Sequence, residues 1–207
     1  MLNRYRVDLG VRATPAEMTG AIARTETHLR TDTARLAVTA ERVNGRVTAD
    51  VTVENLAGHK FPTAYPSRRA WIQLSVKDAQ GRVVFESGAW TPDGRITGNL
   101  NDTDPARFEP HYAQIDQADQ VQIYESVIGD PSGRVTTSLL SGARYLKDNR
   151  LLPRGLDKAR ATADVAVHGY ASTDTDFADG RDRVRYVVNA APSSGDLTVT
   201  ATLWFQP

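Results

Sequence analysis

The sequence predicts an all-β protein, an antiparallel β-sandwich of the Ig-like or Greek-key type with about eight or nine strands and an N-terminal helix. Apolar and polar residues alternate over several short segments, and turn-forming residues separate these segments. Strands do not alternate regularly with helices, which excludes a parallel α/β sheet. We expect residues 1–33 to form an extended lead-in and a helix, and residues 34–207 to form the sandwich domain.

The N-terminal helix is predicted from its capping pattern. Thr14 precedes Pro15, and Glu17 stands three positions after Thr14, so an N-cap, a first-turn proline and a capping box coincide. The helix is expected to reach about Thr31. Its apolar positions form a thin stripe, so it should pack on a sheet edge or join the domain to something upstream. Residues 1–13 show no period and predict an extended lead-in.

Two hairpins are predicted after the helix. Asn44 and Gly45 form a two-residue turn between alternating segments, which places Val43 opposite Arg46. The same register pairs the apolar residues on one face, with Leu36, Val38 and Ala40 opposite Val53, Val51 and Ala49. Residues 71–87 predict a second hairpin with its turn at 78–81.

The remaining segments predict a long excursion and several strands. Turn-forming residues dominate 88–119, and long ordered loops are often functional. Alternation resumes at 121–128, where Glu125 falls on the core side and is expected to pair with Arg68, Arg69 or Arg150. Residues 135–146 predict a strand followed by a short helix. The other predicted strands are 163–167, which leaves His168 on the surface, 184–188 and 197–205.

Composition excludes several function classes. The 25 basic and 25 acidic residues cancel, which disfavours nucleic acid and anionic membranes as partners. No segment is long and apolar enough to span a membrane, and the first residues lack the apolar core of a signal peptide. The chain has no cysteine, which excludes disulfides, thiolate zinc sites and covalent haem attachment. Motifs for a hydrolase nucleophile, a phosphate loop or a dinucleotide site are missing, so we expect a non-catalytic protein.

The loop at 55–71 is the strongest candidate for a functional surface. Gly58, Pro62 and Pro66 restrict its backbone, so its side chains should be held in place. Residues 147–155 form a second loop rich in charge and backbone-restricting residues, and we expect the two loops to share one surface. The residues expected on this interaction surface are Lys60, Tyr65, Arg68, Arg69, Glu125, Asp148, Asn149 and Arg150.

Two groups of residues are candidate metal ligands. The segment 174–182 carries four carboxylates, which could form an oxygen cage for Ca²⁺ or a solvated acidic turn. These carboxylates are Asp174, Asp176, Asp179 and Asp182. A zinc site would require His59 and His111 to meet in space with Glu109 or Glu125.

Four segments together resemble the haem-free C-terminal β domain of bacterial multihaem c-type cytochromes. They are residues 55–71, 119–125, 147–158, and 174–186 followed by 203–206. In those proteins C-x-x-C-H motifs upstream of the domain hold the haems, and this chain has none. The resemblance therefore implies a haem only in an upstream region or a partner, and a periplasmic or extracellular location. His59 or His111 would then be an axial ligand of a partner's haem, or a residue that packs the loops.

Three functions follow from these patterns. The first is a non-catalytic interaction domain that packs against a haem-bearing domain or subunit. The second is a stand-alone secreted module that binds Ca²⁺ or another ligand through the carboxylates of 174–182. The third is a metal-dependent enzyme that uses His59 and His111. Each of the three functions is compatible with an oligomer.

Overall fold

Eleven strands and one α-helix make up the computed structural model, which describes residues 10, 12–63, 65–190 and 195–207. The chain is an all-β sandwich with an N-terminal helix, as predicted. Three strands within this described part have only two residues, and the eight longer strands agree with the expected number. Most of the lead-in expected for residues 1–13 lies outside the described residues.

Helix α1, Pro15–Thr31, begins at the predicted cap. The Thr14 backbone N–H donates to the Glu17 carboxylate at 2.7 Å, and the Glu17 N–H donates to the Thr14 hydroxyl at 3.3 Å. No residue of α1 is buried, so the helix lies outside the core. Across the described ranges, no helix combines the length and the apolar character needed to cross a bilayer.

The first sheet has the strand order β1-β2-β10-β5. Its strands are β1 Ala34–Val43, β2 Arg46–Asn55, β10 Arg181–Asn189 and the short β5 Gln114–Ile115. The predicted register of β1 and β2 is confirmed, with Val38 opposite Val51. Asn44 and Gly45 both have positive φ, which the tight hairpin turn requires. β5 is parallel to β10, the one departure from antiparallel pairing among the described strands.

The second sheet has the order β11-β3-β4, with a short strand added beside β3. Its members are β3 Arg69–Asp78, β4 Val83–Ser87, β6 Ile123–Tyr124 and β11 Leu197–Gln206. The turn between β3 and β4 is held by Asp78, whose side chain accepts hydrogen bonds from the backbone of Gln80 and Arg82. A third, smaller sheet contains β8 Val135–Thr136, β7 Ser126–Gly129 and β9 Arg144–Asp148.

The hydrophobic core lies between the two larger sheets. Val51 and Val53 of β2, Leu74 and Val76 of β3 and Tyr186 of β10 are all fully buried there. Alternation along each strand directs these residues inward, so the sequence pattern and the observed core agree.

Two predicted elements are absent from the described residues. The strand expected at 163–167 is a turn, in which the Val165 N–H donates to the Thr162 carbonyl and Val165 is exposed. The Thr162 hydroxyl bonds Asp164 and stabilises this local conformation. Residues 137–143 are turn and irregular chain rather than a short helix. His168, expected on the surface, is half-buried because its backbone pairs with Asp148.

Replacing Leu74 with Ala should lower the free energy of unfolding by about 2–5 kcal/mol, because it leaves a cavity at a fully buried position. Urea unfolding followed by circular dichroism measures the change. Leu140→Ala is the matched control, since Leu140 is fully exposed and its loss should change stability by less than about 0.5 kcal/mol. Equal losses from both substitutions would contradict this position of the core.

Candidate functional site

The two loops singled out in the sequence meet in space. Phe61 and Leu151 exchange backbone hydrogen bonds, with N–H to carbonyl distances of 2.9 and 2.8 Å. We call the surface formed by residues 58–63, 65–69 and 148–155 the loop face. The geometry therefore unites the two segments that the sequence analysis assigned to one surface.

The side chain of Asn55 holds the two loops together. Its amide nitrogen lies 2.8 Å from the His59 carbonyl, 3.1 Å from the Leu151 carbonyl and 3.0 Å from the Leu152 carbonyl. Asn55 is buried, and its side-chain oxygen accepts from the Ala57 N–H at 2.9 Å. Each polar atom of this buried amide thus has a partner, and each partner is loop backbone.

Asp148 is the charged centre of the loop face. It is fully buried, with Lys60 Nζ at 2.7 Å from Oδ2, Arg150 Nη2 at 2.7 Å from Oδ2 and Arg150 Nε at 2.8 Å from Oδ1. Burial by itself would raise the pKa of Asp148, but Arg150 and Lys60 outweigh it and the pKa lies below its ordinary value. For Lys60, burial outweighs the pairing and lowers the pKa. The Asp148 carboxylate is therefore paired with two cations, Lys60 and Arg150.

Glu125 is buried and paired, but its cation was predicted wrongly. Its Oε1 accepts a hydrogen bond from Lys147 Nζ at 2.9 Å, whereas the sequence analysis expected Arg68, Arg69 or Arg150. Lys147 is also buried and donates to the Ile123 carbonyl at 2.9 Å. β9 lies beside β7, and this pairing brings Lys147 to the carboxylate, which sequence distance alone does not show.

The other predicted surface residues have separate surroundings. Arg68 donates to the Thr63 carbonyl at 3.2 Å, within its own loop. Arg69 points away from Asp148, to Asp102 Oδ1 at 2.8 Å and Gln206 Oε1 at 2.7 Å. Asn149 is fully buried, and Tyr65 is exposed. The loop face therefore presents Tyr65 to the outside, while most of its charges maintain the fold.

An apolar groove of about 610 Å³ begins at the loop face and runs between α1 and β11. The ring of Phe61 lies at its start, 5.8 Å from the ring of Phe205. We call this cavity the apolar groove. Its apolar lining consists of Leu29, Ala34, Leu36, Phe61, Ala201, Leu203, Trp204 and Phe205. Glu26 and Arg30 of α1 add a charged margin.

All three tryptophans of the chain form one contact series. The rings of Trp71 and Trp204 stack with their centroids 6.5 Å apart, and Trp90 meets Trp204 edge-on at 5.6 Å. Trp71 is buried, Trp204 lines the apolar groove and Trp90 is 48% exposed. The three tryptophans are far apart in sequence, so the sequence does not predict this contact. The pairing of β3 with β11 places Trp71 opposite Trp204.

The protonation of His111 is set by its neighbours. Gln122 and Asn149 direct their side-chain NH₂ groups at His111 Nδ1, at 2.8 and 3.1 Å. Neither amide can be turned around, since backbone N–H groups of Tyr112 and Glu125 donate to the two amide oxygens. Nδ1 is therefore an acceptor, and the proton resides on Nε2.

His111, Asp174 and Asp182 form the one group in the described part of the chain with three metal-ligating side chains close together. Nε2 of His111 lies 3.1 Å from Asp174 Oδ2 and 3.8 Å from Asp182 Oδ1. Since Nε2 carries the proton, it donates to Asp174 and offers no lone pair to a metal. This hydrogen bond holds the pKa of Asp174 below its ordinary value. Burial raises the pKa of Asp182.

The four carboxylates of 174–182 have different partners. Asp176 pairs with Arg183, and Asp179 accepts from the Gly155 N–H at 2.8 Å. Asp182 is fully buried and accepts from the Tyr124 hydroxyl at 2.6 Å. Of the four, only Asp174 and Asp182 enter the group around His111. In the described residues, therefore, the four carboxylates do not come together around one point, as a calcium cage would require.

The two candidate histidines also differ. His111 is buried and both of its ring nitrogens have partners, so it presents no nitrogen at the surface. His59 is exposed and lies outside the group around His111. Its Nδ1 donates to the Lys60 carbonyl at 2.9 Å, which leaves the lone pair on Nε2. Of the two, His59 has the form and the access that ligation of an outside group requires.

Sequence reasoning missed several residues that build this region. Asn55 was treated only as the end of a loop, and Lys147, Gln122 and Tyr124 were assigned no role. The one sequence signal for Lys147 was that it directly follows the apolar residues Tyr145 and Leu146. For Gln122 and Tyr124 the sequence did not show their shared partner, because Asp182 is distant in the chain.

Comparison with known proteins supports the fold. The chain is similar to part of a penta-heme cytochrome c552 from Thermochromatium tepidum, with a TM-score of 0.54 and 17% sequence identity. The similarity covers 87% of this chain and 33% of the cytochrome chain. No protein-family model matches the chain, and no curated protein matches it.

Replacing Lys147 with Met should destabilise the protein by about 3–5 kcal/mol, because it leaves the buried Glu125 carboxylate without its cation. Urea unfolding measures the loss. The double variant Lys147→Met with Glu125→Leu should recover part of it, since the unpaired charge is then removed. Arg134→Ala, which breaks an exposed ion pair with Asp130, is the control and should leave the unfolding midpoint unchanged. A double variant less stable than the single one would contradict this account.

The carboxyls around His111 should respond to pH in opposite directions. The raised pKa of Asp182 means that its contribution to stability is complete below the ordinary pKa and is lost as pH rises through the raised value. The free energy of unfolding of the wild type minus that of Asp182→Asn should therefore fall as pH rises above about 4.

Asp174→Asn is the matched control in this experiment. The lowered pKa of Asp174 means that its contribution is present above the ordinary pKa and is lost as pH falls through the lowered value. The corresponding difference should rise with pH at the acid end of the range. Urea unfolding at a series of pH values measures both differences, and slopes of the same sign would contradict the assignment.

Proposed function

We propose that this chain is a non-catalytic interaction domain that packs against a haem-bearing domain or subunit in the bacterial envelope. The observation that carries the proposal is the fold likeness, in which most of this chain matches a third of a penta-heme cytochrome. A chain without cysteine cannot attach a c-type haem covalently. We therefore place any haem in the partner or in an upstream region, and electron transfer there as well.

The apolar groove supports this role, since it offers a partner a surface of suitable chemistry. It joins an apolar floor to a charged margin of Glu26 and Arg30, as protein interfaces do. The aromatic rings of Phe61 and Phe205 line it, and aromatic residues are enriched at protein interfaces.

Helix α1 extends the same surface. Met18, Ile22 and Leu29 follow helical spacing along one stripe, and no residue of α1 is buried. Ile22 is exposed, and Leu29 lines the apolar groove. The stripe therefore remains available to a second domain. In this proposal residues 34–207 are the sandwich, and α1 connects it to the haem-bearing part.

The loop face supplies a contact of a different kind. Tyr65 and His59 are its exposed aromatic and imidazole groups. If a residue of this chain ligates a haem of the partner, we propose His59, because it is exposed and its Nδ1 donates to the Lys60 carbonyl, which leaves the lone pair on Nε2. Histidine ligation is a refinement of the docking proposal, which stands on the apolar groove without it.

Photo-crosslinking in the native bacterium tests the docking proposal. A benzoylphenylalanine introduced at Ile22 should link, on illumination, to a peptide from a polypeptide that carries C-x-x-C-H motifs, whether this is the same chain or another. Mass spectrometry of the linked peptides identifies it, and a peroxidase stain shows the haem. The same group at Leu140, an exposed residue away from the groove, is the matched control. Crosslinks at Ile22 only to haem-free proteins would contradict the proposal.

A further inference from the structure

The outer edge of β1 is long and regular, and its middle is exposed in the part of the chain that the structure describes. β1 is the last strand of its sheet, and within the described ranges no strand pairs with its outer edge. Its ten residues pair with β2 without a bulge and include neither proline nor glycine. Residues 37–41 are all exposed, so α1 does not cover the middle of the strand. Natural edge strands are normally blocked by bulges, prolines, charges or covering elements. β1 has neither a bulge nor a proline, and its charged residues Arg35, Glu41 and Arg42 include both signs.

The hairpin turn determines which backbone groups of β1 point outward. In a hairpin with a two-residue turn, the closing pair, here Val43 and Arg46, exchanges both hydrogen bonds. Hydrogen-bonded pairs then recur at every second residue. The backbone N–H and C=O groups of the odd-numbered residues of β1 therefore point toward β2. The N–H and C=O groups of Leu36, Val38 and Ala40 therefore face outward.

We propose that β1 pairs antiparallel with β1 of a second copy of this chain, across a two-fold axis at Val38. The backbone N–H and C=O groups of Val38 then exchange hydrogen bonds with those of Val38 in the second copy. In the same way the backbone of Leu36 bonds the backbone of Ala40 in the second copy. Four strands from each copy join into one continuous sheet of eight. The contact is closed and self-complementary, as a two-fold interface must be.

Charge complementarity selects this register and this occupant. With the axis at Val38, Arg35 of each copy lies opposite Glu41 of the other, so two ion pairs form on the same face of the sheet. These are non-hydrogen-bonded positions, where opposing side chains approach most closely. Moving the axis to Ala37 or Thr39 places Arg35 opposite Thr39 or Val43 and loses both pairs.

The inner face of the strand fits the same arrangement. Val38, which is 40% exposed in the single chain, meets its own copy, and Leu36 meets Ala40. Arg35 already contacts Glu54 at 3.0 Å, but Arg154 and Arg181 also pair with Glu54 and hold it when Arg35 turns to the second copy. The pairing thus covers exposed apolar side chains and leaves no buried charge alone.

Cysteine crosslinking reads the register directly, because the chain has no cysteine of its own. Ala37→Cys, Val38→Cys and Thr39→Cys are oxidised mildly at the same protein concentration. In the proposed register, facing Cα atoms at position 38 are about 5.5 Å apart, which suits a disulfide, and the flanking positions are farther from their copies. Val38→Cys should form the covalent dimer, at least about tenfold faster than the other two variants. Equal crosslinking at all three positions, or faster crosslinking at 37 or 39, would overturn the proposal.

Sedimentation equilibrium measures the association in solution. Val38→Arg places two cations face to face on the axis and should raise the dimer dissociation constant by at least about tenfold. Val83→Arg, at an exposed valine on the edge strand β4 of the other sheet, is the matched control and should leave it unchanged. A wild-type protein that stays monomeric at every concentration would overturn the proposal.

A charge exchange keeps the test independent of folding effects at Val38. Arg35→Glu alone and Glu41→Arg alone should each weaken the dimer, since like charges then face each other across the axis. The double variant restores both ion pairs and should return the dissociation constant to within about threefold of the wild type. Circular dichroism confirms that each variant is folded. A double variant as weak as the single ones would overturn the register.

Discussion

The amide of Asn55 is the interaction on which the arrangement of the loops depends. It stands at the end of β2, and it holds the carbonyls of one loop and of a distant one at the same point. A buried amide must find partners for its donors and its acceptor, and here all of them are loop backbone. Both loops are thereby fixed to the end of β2. Asp148 completes the link with charges, since Lys60 and Arg150 come from the two sides of the junction.

The apolar groove and the outer edge of β1 lie on one open side of the sandwich. β1 and β11 each stand at the end of their sheet, and Leu36 of β1 and Leu203 of β11 line the same groove. A sandwich whose two end strands are close together has an uncovered flank there, and α1 covers only part of it. The buried polar group around His111, by contrast, joins elements that are distant in sequence and holds a fixed hydrogen-bond pattern. Its chemistry stabilises the fold.

Much of the architecture could be predicted because it depends on local rules. Thr14 and Glu17 cap the helix through contacts three residues apart, and the Asn44 turn determines a register that extends along both strands. The segment 163–167 shows the limit of such rules, since alternation predicts a strand only where a neighbouring edge is available to pair with it. In the candidate site, the junction of the two loops was expected, whereas the cation beside Glu125 was not.

The sequence by itself determined the all-β sandwich and the helix at its start, because periodicity, capping and turn chemistry are properties of short segments. Only the tertiary structure decided that Lys147 neutralises Glu125, that the three tryptophans meet, and that Nε2 of His111 carries the proton. Each of these depends on groups that strand pairing brings together from distant parts of the chain. A buried polar group takes the partner that lies within hydrogen-bonding distance, and the sequence does not contain that distance.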